Sequence, residues 1–476
     1  MANEFIARNG LIAQNNSIVT GSLTVTNGIT GSLSGSATNA VSASFALTAS
    51  YVQTAQTASY VLNAVSSSYA LSASYAPSSI PSGPWGISNS SGVYTYYATL
   101  TLAMAAASAG TTIELFADVT DTNSVTIKPG VTISGNGHTY THTNASGNTF
   151  NLTTTGTYTF LNFNIKRTVT APVAGAVIFG NVGAGFYQVY SLILKGGYIE
   201  YNWTVTSGNL GGLYASTNVG TYNFDGINMS SNSNSYMSSV NGIIRNSTFE
   251  NTGTGGCITT DNAVISLENL YLKTVSGNCL FMNYGFQSIR NSTAITTSGL
   301  GIAGQSGASA YDCYAFSNTS RAFSGVNAFG CTGQTATGIA YYQSNTYNCN
   351  GRSTTGITVV PFFSVNSNYN GSFYSSGNSV CSDSAYASSF YNCSLITDYN
   401  NAAGHAVVVG NAFGAIPTFI NNYIQVANSS ANCLRGAGSF TARWSGNKFF
   451  NSTIPVNANL TQGIVNTQDN QGNLLI

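Results

Sequence analysis

The residues of this chain that could carry acid–base chemistry are its carboxylates, of which the 476-residue sequence has 13. Cleavage of a glycosidic bond needs two carboxyl groups about 5 to 10 Å apart, one as acid and one as base or nucleophile. Eleven acidic residues fall in the part of the sequence that predicts strands: Glu114, Asp118, Asp121, Glu200, Asp225, Glu250, Asp261, Glu268, Asp312, Asp383 and Asp398. Two candidate pairs follow, Glu268 with Asp312 and Asp383 with Asp398.

A three-residue motif surrounds the first pair and offers a different role for it. The motif is an apolar or aromatic residue, then any residue, then Asn or Cys, and equivalent positions of a repeat are expected to stack. Its middle positions would form one outward column of alternating charge: Arg245, Glu268, Arg290 and Asp312. Such a ladder, worth about 1 kcal/mol or less per pair, is favoured over a catalytic pair. We therefore assign no catalytic residue; for an enzyme the residues to test first are Glu268, Asp312, Asp383 and Asp398.

Histidines are the candidate metal ligands. His138 and His142 are four residues apart and would share one face of a strand, so that a trimer could gather six imidazoles around a metal. Ordinary polar positions beside a glycine turn are the favoured alternative, and His405 stands alone. The sequence also lacks the clustered aspartates of a calcium site, which a lyase acting on acidic sugars often needs. We expect no metal site and no cofactor.

The composition predicts a folded chain with an almost uncharged surface. Its 13 basic and 13 acidic residues cancel, and they make up 5% of the sequence, about a fifth of the usual charged fraction. With 24 Phe and 29 Tyr there is ample apolar surface to bury. The balance of charge argues against nucleic acid or an anionic membrane as partner. No signal peptide or apolar stretch of membrane-spanning length is found, so we expect synthesis in the cytoplasm without export.

All eight cysteines fall in the second half of the chain: Cys257, Cys279, Cys313, Cys331, Cys349, Cys381, Cys393 and Cys433. None belongs to a C-x-x-C pair, which argues against a zinc or redox motif. The even number permits disulfides, but assembly in a reducing cytosol favours buried free thiols. Because several of them replace Asn at the third motif position, a packing role in the core is expected.

Four zones follow one another along the chain. Residues 1–39 contain short strand-like runs and predict an N-terminal attachment module. Residues 40–84 hold an Ala/Ser/Tyr repeat whose aromatics recur at multiples of three: Phe45, Tyr51, Tyr60, Tyr69 and Tyr75. Neither one helix nor one strand gathers these positions on one face, which favours a thin oligomeric shaft over a disordered linker. Residues 85–450 predict a capping helix and a solenoid, and residues 451–476 a C-terminal cap or oligomerisation tail.

The third zone opens with the one convincing helix signal, Tyr97 to Ala109, in which Leu100, Leu102 and Met104 are available for burial. The three-residue motif then recurs at Ile244–Asn246, Leu267–Asn269, Ile289–Asn291, Tyr311–Cys313, Phe329–Cys331, Tyr347–Cys349 and Tyr391–Cys393. Its third residues up to Cys349 are separated by steps of 23, 22, 22, 18 and 18.

Strand-like repeats of about 20 to 25 residues predict a β-solenoid, because each coil buries its apolar face only against the next coil. About 15 coils stacked at about 4.8 Å would form a rod roughly 70 Å long. The first motif residue is expected to point inward. The third is expected at a turn or interior edge, where asparagine amides hydrogen-bond from coil to coil.

Two segments resemble known families. The stretch from Gly110 to Ile113, followed by VTIKPGVTISG from Val125 to Gly135, closely resembles the opening of pectin-lyase-like β-helices. The resemblance implies an all-β, right-handed parallel β-helix with a short N-terminal capping helix. The ASY-type repeats and the N-terminal SLTVTNGITGSLSGSA resemble phage tail-fibre and head-fibre proteins.

These resemblances imply a virion fibre or spike subunit that works as a homotrimer, attaches to the tail or head through its N-terminus and binds host surface polysaccharide. The predicted solenoid carries many aromatics of the kind that contact glycans, including Tyr341, Tyr342, Tyr369, Tyr374, Tyr386 and Tyr391, but many of them must belong to the core, so none is assigned as a receptor contact. Two alternatives stay open, a tailspike depolymerase and a purely structural decoration of the head or tail.

Overall fold

The computed structural model describes residues 83–462, except 145–146, 170–177, 182–189, 204–219, 233–235, 239, 262–263, 306, 361–365, 379, 381–387, 403, 410–415, 437–439 and 459. The expected attachment module, residues 40–82 of the expected shaft and the last residues of the expected tail lie outside these ranges. So do Cys381, Asp383 and Tyr386.

The described chain is a right-handed parallel β-helix, as predicted. Its first sheet has 18 strands, which are, in spatial order, Tyr94–Tyr97, Trp85–Ser88, Thr112–Leu115, Thr132–Ser134, Gly156–Leu161, Tyr190–Lys195, Gly220–Asp225, Val240–Arg245, Ile265–Glu268, Gln287–Arg290, Ser309–Tyr311, Asn327–Phe329, Asn345–Tyr347, Asn366–Tyr369, Ser388–Tyr391, Thr418–Ile420, Phe440–Ser445 and Leu460–Gln462. Only the strand Trp85–Ser88 pairs antiparallel, with both of its neighbours.

The second sheet has 15 parallel strands, which are Val119–Asp121, Thr139–His142, Asn164–Val169, Tyr198–Trp203, Asn228–Ser231, Thr248–Asn251, Tyr271–Thr274, Thr293–Thr296, Tyr314–Ser317, Thr332–Thr335, Asn350–Ser353, Ser372–Ser375, Ser394–Thr397, Tyr423–Val426 and Lys448–Phe450. Three smaller parallel sheets complete the coils. They comprise Val125–Ile127, Phe150–Leu152 and Phe179–Asn181; then Tyr236–Ser238, Ile258–Asp261, Leu280–Met282, Ile302–Gly304, Arg321–Ser324, Ile339–Tyr342 and Ile357–Val360; and last Val407–Val409 and Leu434–Gly436.

The one helix of the described residues, α1 (Leu100–Ala106), packs on the first coils and is shorter than predicted. It starts later because Tyr97 belongs to a strand, and Thr99 caps it by accepting a hydrogen bond from the Leu102 amide at 3.3 Å. Leu100 is buried, but Leu102 is 53% exposed. The expected burial of Leu102 was wrong, because positions 100 and 102 do not share a face of a 3.6-residue helix.

The first residue of the asparagine motifs points into the core, as predicted. Ile244, Leu267 and Ile289 are fully buried, and they pair in register from coil to coil. In the following coils Ala310 and Ala328 take the same inward position. An apolar column therefore runs along the inner face of the first sheet from Ile244 to Ala328, and the polar residues Thr346 and Asn368 follow it in register.

The asparagines of the motif form the expected ladder at the turn between the first two sheets. Asn246 and Asn269 have φ of 51° and 52°, a left-handed conformation that Asn tolerates better than most residues. The Asn269 amide donates to the Asn246 side-chain oxygen at 3.1 Å. Further along, Asn370 donates to Asn348 at 3.2 Å and Asn392 donates to Asn370 at 3.3 Å.

The cysteine triplets are one residue out of the register that the sequence predicted. In the first sheet Arg290 pairs with Tyr311, so the tyrosine lies outward instead of inward. The next residue, Asp312, has the positive φ of the turn. Cys313 therefore aligns with Ser292 and not with an asparagine. The expectation that Cys replaces Asn in one register was wrong.

The thiol instead takes over a bond that a serine hydroxyl makes in earlier coils. Ser292 Oγ donates to the carbonyl of Arg290 at 2.6 Å, two residues back, and Cys313 Sγ donates to the carbonyl of Tyr311 at 3.1 Å. The same bond recurs at Cys331, Cys349 and Cys393. All seven described cysteines are free and buried, and burial raises the pKa of Cys393 to about 11. The cysteines therefore have the expected packing role in the core, but at the position of a serine instead of an asparagine.

A second interior column, at the last inward position of the strands of the second sheet, is polar. It consists of Ser231, Asn251, Thr274, Thr296, Ser317, Thr335, Ser353, Ser375 and Thr397, all buried and paired in register. Thr296 Oγ1 donates to the Gly277 carbonyl at 3.2 Å and accepts from the Gly299 amide at 3.0 Å. Four further hydroxyls of the column also donate to a backbone carbonyl of a neighbouring turn, those of Thr274, Ser317, Ser375 and Thr397.

We predict that Thr296→Val lowers the free energy of unfolding by about 2 kcal/mol, because it leaves the half-buried Gly277 carbonyl and the buried Gly299 amide unpaired at nearly constant volume. Chemical denaturation of the full chain measures the change. Thr293→Val, at an outward position of the same strand, is the matched control and should change stability by less than about 0.5 kcal/mol. Equal effects of the two substitutions would contradict a structural role of the interior hydroxyls.

Candidate functional site

The outer face of the first sheet carries the predicted charge ladder at the last position of each strand. Arg245, Glu268 and Arg290 follow one another in register. Asp225 lies one coil before Arg245, and its Oδ2 is 2.8 Å from Arg245 Nη2. Hydrogen bonds from Asn246 and Arg245 hold the pKa of the Asp225 carboxyl below its usual range. The alternating column is confirmed for these residues, but Asp312 does not belong to it, since Tyr311 takes its place.

Beyond Arg290 the same column becomes a stack of aromatic rings, formed by Tyr311, Phe329, Tyr347, Tyr369 and Tyr391. Their centroids are 4.9, 4.8, 5.3 and 4.8 Å apart and their planes differ by 10° or less. The Arg290 guanidinium closes one end, 4.0 Å from the Tyr311 centroid.

In this stack, neighbouring rings cover the ring faces on which a sugar would pack. Each interior ring has a neighbouring ring on both faces, so only the ring edges and the phenol groups are left at the surface. Tyr369, one of the tyrosines noted in the sequence, therefore has a structural role here. Tyr341 is fully buried, and its hydroxyl donates to the Cys331 carbonyl at 2.8 Å. Of the tyrosines noted in the sequence, Tyr374 lines the open surface described next.

An open groove of about 530 Å³ lies on the outer face of the second sheet. The described residues that line it are Thr332, Gln334, Asn350, Gly351, Arg352, Ser372 and Tyr374. They come from three consecutive strands, which pair in register. The groove is therefore a direct product of coil stacking.

Side-chain size explains why the surface is depressed there. The first outward position of these strands carries short polar side chains in four successive coils, Thr332, Asn350, Ser372 and Ser394. Tyr314 and Tyr423 occupy the same position in the coils before and after. At about 4.8 Å per coil, the trough between the two tyrosines is about 24 Å long.

The third position of the same strands supplies functional groups along one side of the trough. The Tyr314 hydroxyl donates to Gln334 Oε1 at 3.1 Å. The Arg352 guanidinium carbon lies 5.4 Å from the centroid of Tyr374. The Tyr374 hydroxyl donates to Asp398 Oδ2 at 2.7 Å, and this bond raises the pKa of the tyrosine. The groove thus offers amide, hydroxyl and guanidinium groups beside an aromatic ring.

The four carboxylates named for testing are placed apart. Glu268 lies in the charge ladder of the first sheet, between two arginines one coil away on either side. Asp312 lies at the turn, two coils further on. Asp398 follows a strand of the second sheet and contacts the groove through Tyr374. Asp383 lies outside the described residues, so its pairing with Asp398 stays untested.

The two neighbouring histidines do not share a face. His142 is fully buried and its Nδ1 lies 2.9 Å from Thr149 Oγ1, whereas His138 precedes the strand and lies 3.4 Å from Asp118 at the surface. A trimeric metal site built from both was therefore a wrong alternative. His405 is also buried, and its Nδ1 accepts a hydrogen bond from the Asn432 amide at 2.8 Å. Among the described residues no three His, Cys, Asp or Glu side chains gather at one place.

The sequence did not point to Gln334, Asn350 or Arg352 as site residues. The signal that was present is a run of short polar residues at one strand position in consecutive coils. It is visible only once the register is known, because these residues are 18 to 22 apart in the chain.

No family model and no curated protein matches the chain. Among solved structures, a tailspike protein double mutant of E. coli bacteriophage HK620 matches 72% of this chain and 74% of its own, with 10% identity and a TM-score of 0.44. A mutant of that protein in complex with a pentasaccharide gives the same values. The A-module of a mannuronan C-5 epimerase from Azotobacter vinelandii covers 76% of this chain and 93% of its own, with 11% identity and a TM-score of 0.25. At this identity the likeness is one of fold alone.

No helix of the described residues is long and apolar enough to span a bilayer.

The buried histidine predicts a pH dependence of stability. Burial, with the nearby Arg167 charge, lowers the pKa of His142 to about 4, against about 6.5 when unfolded. Between these values the unfolded chain binds more protons, so the stability is complete above about pH 6.5 and is lost as the pH falls toward 4.

We therefore expect the melting temperature to fall from pH 7 to pH 5, and to fall less in His142→Gln. His142→Gln should remove only part of the pH dependence, because burial also lowers the pKa of His405 to about 4. Calorimetry at both pH values gives the difference for each protein. His138→Gln is the control and should keep the wild-type difference; the same difference in all three proteins would refute the role of His142.

Proposed function

We propose that the chain is a subunit of a phage virion fibre or spike and that it binds host surface polysaccharide along the groove of the second sheet. The observation that carries this proposal is the groove itself, a trough lined by short polar side chains with Gln334, Arg352 and Tyr374 on one side. Hydroxyl, amide and aromatic groups together are the usual means of binding sugars.

The shape of the groove supports a polymeric ligand. It crosses successive coils, so its groups repeat along a line instead of converging on a point. A chain of sugars laid across Thr332, Asn350 and Ser372 would meet similar polar groups at each coil. Many modest contacts of this kind add up to firm binding without a deep pocket.

The placement of the carboxylates supports binding as the main activity, with cleavage as the alternative. A glycosidase needs two carboxyl groups on either side of the bond that it cuts. No acidic residue is found among the described residues that line the groove. Glu268 lies between arginines on another sheet, and Asp398 is engaged by the Tyr374 hydroxyl.

The assembly is part of the proposal. Trimerisation is supported by the period of three in the aromatics of residues 40–84, and attachment to a tail or head protein by the fibre-like sequence of residues 1–39. An almost uncharged exterior suits a long-lived assembly better than a free monomer. A purely structural decoration of the particle is the remaining alternative.

The test is incubation of the full-length protein with purified surface polysaccharides from candidate hosts, with retained polymer, new reducing ends and unsaturated products scored together. Retention without cleavage supports the proposal. Cleavage would overturn the binding-only interpretation and direct attention to Asp398 and Asp383 first. No retention of any polymer would favour the decoration alternative.

For a polysaccharide that is retained, Tyr374→Ala is expected to weaken binding about tenfold, equivalent to about 1.4 kcal/mol, because it removes the aromatic side of the groove. Titration by calorimetry or on a biosensor gives the affinity. Tyr271→Ala is the matched control, since Tyr271 is an outward tyrosine of the same sheet, three coils before the groove. Equal losses in the two variants would place binding elsewhere.

A further inference from the structure

We infer that the polysaccharide is acidic and that the Arg352 guanidinium binds its anionic group. This inference rests on the proposed function, because it names the class of ligand for the same groove. Arg352 is the one charged side chain among the described residues that line the groove.

The two lysines in the outward column of the second sheet that also contains Arg352 each have an acidic partner one coil away. Lys166 Nζ lies 3.3 Å from Glu200, and Lys273 Nζ lies 3.9 Å from Glu250, both on the second sheet. Arg352 belongs to the same column, at the third strand position. The positive charges of the two lysines in this column are thus balanced by carboxylates of the same chain.

Arg352 departs from this arrangement. Its neighbours in the column are Gln334 on one side and Tyr374 on the other, and both are neutral. It takes part in none of the ion pairs found between described residues. No described residue accepts a hydrogen bond from its guanidinium, and the Asp398 carboxylate contacts the groove through the Tyr374 hydroxyl.

The chemistry of the group defines what it would bind. A guanidinium presents five N–H donors in a plane and binds a carboxylate or a phosphate through two parallel hydrogen bonds. The Tyr374 ring, 5.4 Å from the guanidinium carbon, holds one side of that plane, and the neighbouring Gln334 and Asn350 amides are placed to contact sugar hydroxyls. A polymer with one acidic sugar per repeat satisfies the unbalanced charge that the chain itself leaves.

The experiment uses the full-length protein and matched pairs of polymers. One pair is a bacterial polysaccharide that contains uronic acid, and the same material after carbodiimide–borohydride reduction of its carboxylates. The second pair is a phosphate-bearing polysaccharide before and after removal of phosphate with hydrofluoric acid. The pair in which the preference is seen identifies the carboxylate or the phosphate as the anion.

Wild-type protein is expected to bind the acidic form about tenfold more tightly than its neutralised form. Arg352→Gln should lose this preference and bind the acidic and the neutralised form with equal affinity, and an unchanged melting temperature shows that the variant is folded. Arg352→Lys should keep part of the preference, since it keeps the charge and loses the paired donors.

Arg290→Gln is the matched control. Arg290 also lies over a tyrosine ring, at 4.0 Å from its centroid, and its loss changes the net charge equally, but it lies on the first sheet, outside the groove. It should keep the wild-type preference. Equal loss in both variants would show long-range attraction and overturn the assignment to Arg352.

Two further outcomes separate this inference from the proposed function. Tight binding of both members of a pair, unchanged in Arg352→Gln, would overturn the acidic ligand and leave polysaccharide binding in place. Failure to bind any of the four polymers, together with failure across the panel of host polysaccharides, would overturn both.

Discussion

The constraint on which the whole molecule depends is that each coil stacks in register on the one before it. A residue in a parallel stack has its equivalent about 4.8 Å above and below, so every position becomes a column. A column is stable only if its members tolerate each other at that distance. Apolar residues, hydroxyls, amides and stacked rings do so, but like charges do not, since they repel by about 1 kcal/mol at 4 Å even in water. This explains why 5% of the residues are charged and why those on the outer columns alternate in sign.

Register is kept although the coils differ in length. Two residues connect the first sheet to the second, both between Arg245 and Thr248 and between Tyr347 and Asn350. The first of the two has a left-handed backbone, for which Asn, Asp and Gly are suited. From Asn246 onward, steps between these turn residues range from 18 to 29. The extra residues are added elsewhere in the coil, so the short turn holds the two large sheets in register.

The same facts explain what could and could not be predicted from sequence. The β-helix, the inward apolar column and the asparagine ladder were predictable, because each leaves the same residue type at a coil-length interval. The register of Tyr311 and Cys313 was not, since Cys replaces Ser two residues after an outward ring, and an outward aromatic resembles an inward one in a sequence pattern. The burial of His142 was missed because an imidazole carries no sign of which side of a strand it takes. The attachment module and the shaft expected within residues 1–82 stay predictions.

The groove could not be predicted for a related reason, and this reason connects it to the fold. On the first sheet a column of large rings fills the surface and closes it, as from Tyr311 to Tyr391. On the second sheet a column of short side chains between Tyr314 and Tyr423 leaves the surface open. The size of the side chains in one outward column therefore decides whether the surface of this β-helix is filled there or forms a groove. Such a groove always runs along the stack, which is why we expect its ligand to be a polymer, and Arg352 is the point at which it can distinguish an acidic polymer from a neutral one.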